Sequence, residues 1–219
     1  MMQNKMQDVA LFPIPGSVSF PHMRVPLHVF EPRYRTMIQH CLDHNLWVAI
    51  AHTQGTLREV SADRPLKEAL SRNASTYKPC DIFSAGPCQL VQTLDDGRMM
   101  IEVDMQQRFV KHEALQRLPF EIYRCETLSD NALTDSTINE MSLLKEKIIT
   151  RLRALCADNP DALAMLNDSD FYNTDVQTFS FRIFGMVMLD SDVAQTALAM
   201  TNPLDRMDLM LSELNQLTG

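Results

Sequence analysis

The stretch that decides the fold runs from Leu11 to His52, LFPIPGSVSFPHMRVPLHVFEPRYRTMIQHCLDHNLWVAIAH. At Phe30-Glu31-Pro32-Arg33-Tyr34 an apolar extended run stops and a helical period begins. Proline holds φ near the helical value and gives up an N–H that the first turn leaves unpaired anyway, so Pro32 is expected at the first helical position. Tyr34, Met37, Ile38, Cys41 and Leu42 then recur at the spacing of one buried helix face, with Arg33, Arg35, Gln39 and Asp43 on the other. Strand-like runs flank this helix, Val25 to Phe30 before it and Leu46 to Ala51 after it. Pro13, Pro15, Pro21 and Pro26 cannot donate ladder hydrogen bonds, which confines the segments before the helix to edge strands, bulged strands or extended loop.

Beyond this stretch, Thr53 to Lys78 contains Gly55, Pro65 and many polar residues and reads as a long connection or flap with a short helix around Leu66 to Leu70. The clearest hairpin follows: Cys88 to Leu94, a turn at Asp95-Asp96-Gly97, and Arg98 to Gln106. Asp-Gly supplies the positive φ that a tight turn needs, and Ile101, Val103 and Met105 alternate with Glu102, Asp104 and Gln106, so one face of that strand is buried. A last strand is expected from Phe120 to Thr127, after Pro119. Short strands without intervening helices predict a small mixed or antiparallel barrel over residues 1–128.

Near Ser129 to Asp135 the period changes from two to about 3.6. Thr137-x-x-Glu140 reads as a capping box opening a long helix, whose stripe is Met141, Leu144, Ile148, Leu152 and Leu155. Asn159-Pro160 and Asn202-Pro203 repeat an N-cap followed by a first-turn proline. Between them lie a short helix from Pro160 to Leu166, a very apolar one from Val176 to Leu189, expected to be the most central, and a short one from Val193 to Met200. The last helix carries Leu204, Met207, Leu211 and Leu214 on one side. Residues 129–219 are therefore expected to form a helical bundle, and the fold class is α+β.

The string LFPIPGSVSFPHMRVPLHVFEPRYR resembles the opening signature of the Lon amino-terminal domain family, the substrate-binding domain that precedes the ATPase in Lon proteases. Gly86 opening a strand, Asp96-Gly97-Arg98 in a turn, and Arg108-Phe109 some way on form a second matching block; Gln195, Leu198, Asn202, Asp205 and Arg206 form a third. The resemblance spans about residues 9 to 217, with one departure: Met105 stands where the family usually has glycine. It implies a PUA-like barrel, protein recognition, and signature positions that are mainly structural: Phe12, Pro13, Phe20, Pro21, Pro26, Leu27, Phe30, Glu31, Pro32, Arg33, Tyr34, Gly97, Arg98, Arg108 and Phe109.

Composition bounds the function. At 219 residues, 45% hydrophobic and 22% charged, the chain can bury a real core and reads as a soluble globular protein. No apolar run is long enough for a membrane span and Met1 to Asp8 does not read as a secretory signal, so a cytoplasmic location is expected. Cys41, Cys80, Cys88, Cys125 and Cys156 are scattered without a C-x-x-C, the pattern of small buried hydrophobes in a reducing compartment. The net charge of -8 is uneven: residues 1 to 125 carry 14 Lys+Arg against 13 Asp+Glu, while 126 to 219 carry 6 against 15. An acidic carboxyl half disfavours phosphate backbones, so no nucleic acid partner is expected.

Catalytic apparatus is not found. The six glycines form neither a G-x-x-x-x-G-K-[ST] nor a G-x-G-x-x-G loop, and no G-x-S-x-G elbow occurs, so no cofactor is expected and the protein is not expected to be an enzyme. His40 and His44 share a helix face but lack a third ligand by spacing, so no metal site is expected; His44 suits the helix end. His22, His28, His52 and His112 are expected in structural roles, and Arg33 and Arg35 are expected to reach neighbouring carboxylates, with Glu31 a candidate. Methionine is in excess, 15 residues, and Met186, Met188, Met207 and Met210 are nominated as partner contacts because flexible thioethers suit varied apolar partners.

The leading expectation is a non-catalytic module that binds protein or unfolded polypeptide segments in a groove between barrel and bundle, with strand addition along a proline-limited edge. A small-molecule or RNA-binding PUA-like protein is the alternative, for which Arg33, Arg35, Arg98 and Arg108 are only scattered basic candidates.

Overall fold

The computed structural model describes residues 5–58 and 76–217. The chain divides into two compact units, Met1–Leu128 and Ser129–Gly219. In chain order the first carries β1 (Met6–Pro13), β2 (Arg24–Val29), α1 (Pro32–His44), β3 (Trp47–Ala51), β4 (Thr53–Arg58), β5 (Thr76–Pro79), β6 (Ile82–Gly86), β7 (Cys88–Thr93), β8 (Met99–Asp104), β9 (Gln107–Gln116) and β10 (Glu121–Thr127). β4 and β5 pair at the two ends of the expected connection; the short helix expected around Leu66 to Leu70 lies outside the described residues.

A closed barrel forms in the order β1-β10-β9-β6-β3, with β1 parallel to β3 and antiparallel to β10. Because side chains alternate along a strand, β1 serves two cores. Val9 and Leu11 point into the barrel with Ala49, Ala51, Phe83, Ala85 and Phe109, small residues leaving room for the two phenyl rings. Ala10 and Phe12 point outward, against Tyr34, Met37, Ile38 and Cys41 of α1. Each of these large apolar side chains, once sealed from water, stabilises the fold by about 1.5–3 kcal/mol.

A second sheet, β2-β8-β7, continues the outer core. Met99, Ile101 and Val103 are buried on alternate positions of β8, with Met105 following in register. Pro26 sits in β2, an edge strand, as its missing N–H requires. Met105 is fully buried, and its backbone N–H and carbonyl pair with Met23 and His22, so a side chain fills the point where the resemblance led us to expect glycine. The close approach falls instead at Gly86, where a Cβ would lie 1.7 Å from the Asp104 carbonyl oxygen. Gly86 closes β6 rather than opening a strand.

The second unit carries α2 (Asp135–Leu155), α3 (Pro160–Leu166), α4 (Ser169–Tyr172), α5 (Val176–Arg182), a 3-10 turn (Ile183–Gly185), α6 (Ser191–Ala199) and α7 (Pro203–Gln216). α2 packs on α5 and α7 through Met141, Leu144, Ile148 and Leu152. Its N-cap is Thr134, not Thr137: the Thr134 hydroxyl accepts the Thr137 N–H, so the helix opens with a simple cap three residues before the capping box expected at Thr137 and Glu140. The apolar helix expected to run to Leu189 stops early. It tightens into the 3-10 turn and ends at Gly185, where the missing side chain no longer favours helix, and Asp190 caps the next helix through the Asp192 and Val193 N–H groups. α4 was not expected; Asp168 nucleates it by accepting the Asp170 and Phe171 N–H groups.

Two cations are buried in this unit. Lys145 donates to the carbonyls of Tyr172 (2.5 Å) and Thr174 (2.6 Å), closing the exposed end of α4, and burial holds its ammonium below the ordinary lysine range. Arg206, with 0% exposure, forms a two-pronged pair with Asp130 at 3.1 and 2.7 Å, donates to the Ser180 hydroxyl and the Met200 carbonyl, and lies 3.7 Å from the centre of the Phe181 ring. Among the described residues no helix is long and apolar enough to cross a membrane.

Candidate functional site

The barrel unit contains a pocket of about 270 Å³ at the junction of β1, β2 and the start of α1. Its walls are largely the opening signature: Phe12 and Pro13 from the end of β1, Leu27 from β2, and Phe30, Glu31, Arg33 and Tyr34 from the turn into α1. The chain folds this way because Pro32 occupies the first helical turn and Glu31 the N-cap in an extended conformation, which turns the polypeptide sharply after β2. Phe12 stacks on Tyr34 with ring centroids 4.0 Å apart. The Arg33 guanidinium lies 4.5 Å from the centre of the same ring and 3.2 Å from the Glu31 carboxylate. Glu31 makes no capping hydrogen bond with its side chain and serves Arg33 instead. Burial pushes the Tyr34 phenol well above its usual range, so it stays neutral and can act only as a hydrogen-bonding group.

The remaining signature residues lie outside the lining of this pocket. Phe20 and Pro21 are buried in the loop after β1, and Pro26 is exposed on the edge of β2. Gly97, at φ 81, forms the β7–β8 turn, where its carbonyl accepts from Arg35 at 3.2 Å; the Arg98 backbone and side chain both donate to Asp96, whose carboxyl is held below its usual range mainly by that backbone N–H. Arg108 and Phe109 are buried in β9, and Phe109 meets Trp47 edge-to-face. Tyr77 of β5 also lines the pocket; it falls in a stretch that sequence read only as a flap, and no local pattern marked it.

The nominated methionines separate. Met207 and Met210 have 0% exposure and fill the helical core, so they are not surface contacts; Met207 stood on the expected stripe, whereas Met210 joins the buried face with Pro203, Arg206 and Leu214. Met186 is half-buried and Met188 is 99% exposed, both in the irregular segment after the 3-10 turn. His40 and His44 stack at 4.2 Å, with the His44 ring nitrogen 2.9 Å from the His40 carbonyl; among the described residues no group of three metal-ligating side chains exists. The five cysteines are free thiols. Burial pushes Cys41 and Cys125 up to about 12 and raises Cys88, so none of these three is a thiolate nucleophile at neutral pH.

Compared with known families, residues 8–216 match the model described as the ATP-dependent protease La (LON) substrate-binding domain. The chain belongs to the LON substrate-binding domain family. Among solved structures, the N-terminal domain of Mycobacterium avium complex Lon protease is 12% identical, with a TM-score of 0.67 over 95% of this chain and 98% of that one. A Lon N-terminal domain protein from Xanthomonas campestris is 17% identical, with a TM-score of 0.56 over 94% and 98%. At these identities the two structures share the fold of this LON-domain chain. No curated protein matches it.

Proposed function

We propose that this LON-domain protein is a non-catalytic module that binds protein or unfolded polypeptide segments in the cytoplasm. The carrying observation is the pocket at the start of α1, where family-signature residues supply an apolar aromatic wall with one ion pair at its rim. An apolar concavity with few polar groups accepts a large hydrophobic side chain, and the rim pair orients the neighbouring peptide backbone. The matched family is defined as a substrate-binding domain, and the free thiols suit a reducing compartment.

The test is fluorescence anisotropy of a labelled unfolded polypeptide titrated with the purified protein, beside a labelled RNA of similar length. Saturable binding of polypeptide, weakened by Phe30→Ala, is the expected result; Phe30 is 37% exposed and lines the pocket, so the substitution leaves the core intact. Folded protein that binds neither probe, or that binds RNA with strong salt dependence, overturns the reading.

A further inference from the structure

The two edges of the β2-β8-β7 sheet are unlike. β2 carries Arg24 and Pro26, a charge and a missing donor of the kind that blunts an exposed edge. β7 carries neither: residues 86–94, GPCQLVQTL, hold no charged side chain, and no proline lies within β7. Leu90 is 44% and Val91 69% exposed. Among the described residues no strand pairs with the outer side of β7.

The register shows which backbone groups face outward. Leu94 N–H donates to Arg98 and the Pro87 carbonyl accepts from Asp104, so both ends of β7 bond inward to β8. Alternation, with the register shift between Leu90 and Gln92, leaves the N–H and carbonyl groups of Cys88, Leu90 and Thr93 on the open edge. These same residues stand opposite Val103, Ile101 and Met99, which are buried toward α1. Their side chains therefore face the α1 side of the sheet. There an open trough of about 630 Å³ runs between the sheet and the helix, its lining including Arg35, Thr36, Gln39, His40, Asp43 and Thr93.

We propose that the β7 edge and this trough form a strand-addition site for an extended, uncharged segment of a partner polypeptide. The added strand takes the open backbone groups of Cys88, Leu90 and Thr93, and its alternate side chains enter the trough. An uncharged segment fits because β7 itself offers no counter-charge and, in the trough, Arg35 is balanced by Asp43 while Thr36, Gln39 and Thr93 offer neutral hydrogen-bonding groups. A second copy of this chain fits less well. Pairing two six-residue strands buries on the order of 300 Å² per partner, well under the ~800 Å² of a stable interface, and each copy carries a net charge of -8. The site is separate from the signature pocket and adds to the peptide-binding reading.

The experiment titrates a labelled, end-capped peptide of about ten alternating threonine and valine residues against the full chain, long enough to span the edge. Leu90→Pro removes one open-edge donor and no β8 ladder bond; Leu90→Thr keeps the donor and shortens the side chain. We expect roughly tenfold weaker binding for Leu90→Pro and less than about threefold for Leu90→Thr, the pattern of backbone readout. Equal binding by wild type and Leu90→Pro overturns the proposal. Should Leu90→Pro fail to fold, hydrogen exchange on wild type decides: saturating peptide protects the Cys88, Leu90 and Thr93 amides, and unchanged exchange overturns the site. Dimerisation of the free wild-type chain that Leu90→Pro abolishes also overturns it, in favour of self-pairing. Binding lost in Phe30→Ala but intact in Leu90→Pro leaves the signature pocket standing and removes only the edge site.

Discussion

Arg33 in the barrel unit and Arg206 in the helical unit each lie over an aromatic ring and pair with a carboxylate, but their surroundings differ. Arg33 meets Glu31 within a single turn of chain, with 12% of each side chain exposed. Arg206 meets Asp130 from 76 residues away, with 0% and 1% exposed. The local pair is assembled by the helix start itself and keeps some water, so it costs little to form. The distant pair is dry and is held in place only by the folded helices, so losing one partner strands a buried charge. One region uses an ion pair to trim a pocket, the other to tie helices together.

The largest effect expected from this contrast is at Arg206. Arg206→Ala lowers the stability of the helical unit by about 3–5 kcal/mol in urea unfolding, because the buried Asp130 carboxylate loses its ion-pair partner, while Arg206→Met with Asp130→Leu regains most of that loss. Full destabilisation in the double variant would mean that packing on Phe181, not charge, holds the helices. Gly86→Ala comes next, at about 2–3 kcal/mol, since its Cβ would meet the Asp104 carbonyl at 1.7 Å and the backbone must shift. Arg33→Gln should cost about 1–2 kcal/mol, because Glu31 loses its ion-pair partner at a site that still reaches water; a loss equal to that of Arg206→Ala would erase the distinction between the two arginines.

The smallest expected effect depends on pH. Burial raises the Glu121 carboxyl above its usual range against the pull of Lys111, Arg117 and Arg33, and its Oε2 is buried without a hydrogen bond. A carboxyl that ionises more easily unfolded than folded destabilises the fold once pH passes its unfolded value, and the penalty becomes complete above its folded value. Glu121→Gln should therefore raise the thermal midpoint at neutral pH and leave it nearly unchanged below the ordinary carboxylate range. An equal gain at both pH values would trace the effect to packing.

Much of the barrel unit was legible because its signals are local. Pro32 fixes the start of α1, Asp96-Gly97 the hairpin, and the alternation from Met99 to Met105 the buried face of β8. The Glu31–Arg33 pair was legible for the same reason. The helical unit was less so. Several polar residues near Ser129 to Asp135 can cap a helix, and which one does so depends on where the first turn packs; Thr134 prevails over Thr137. The run to Leu189 looked helical by hydrophobicity, yet Gly185 and the Asp190 cap divide it. Arg206 shares the buried face of α7 with Met207 and Met210, and nothing local in the sequence named Asp130 as its partner. The candidate site shows the same split: the signature string contained most of the pocket wall, and Tyr77 joined it only through the fold.

The sequence by itself determined the family, the α+β class, the start of α1 and the β7–β8 hairpin, because proline geometry, positive φ at glycine and side-chain alternation act within a few residues. Tertiary structure alone decided that β1 shares its alternating faces between two cores and that Phe12 stacks on Tyr34. It also decided that Met207 and Met210 are core rather than surface, and that Arg206 finds Asp130. Those outcomes depend on which distant segments displace water from a given face, and burial is a property of the packed chain rather than of any window of its sequence.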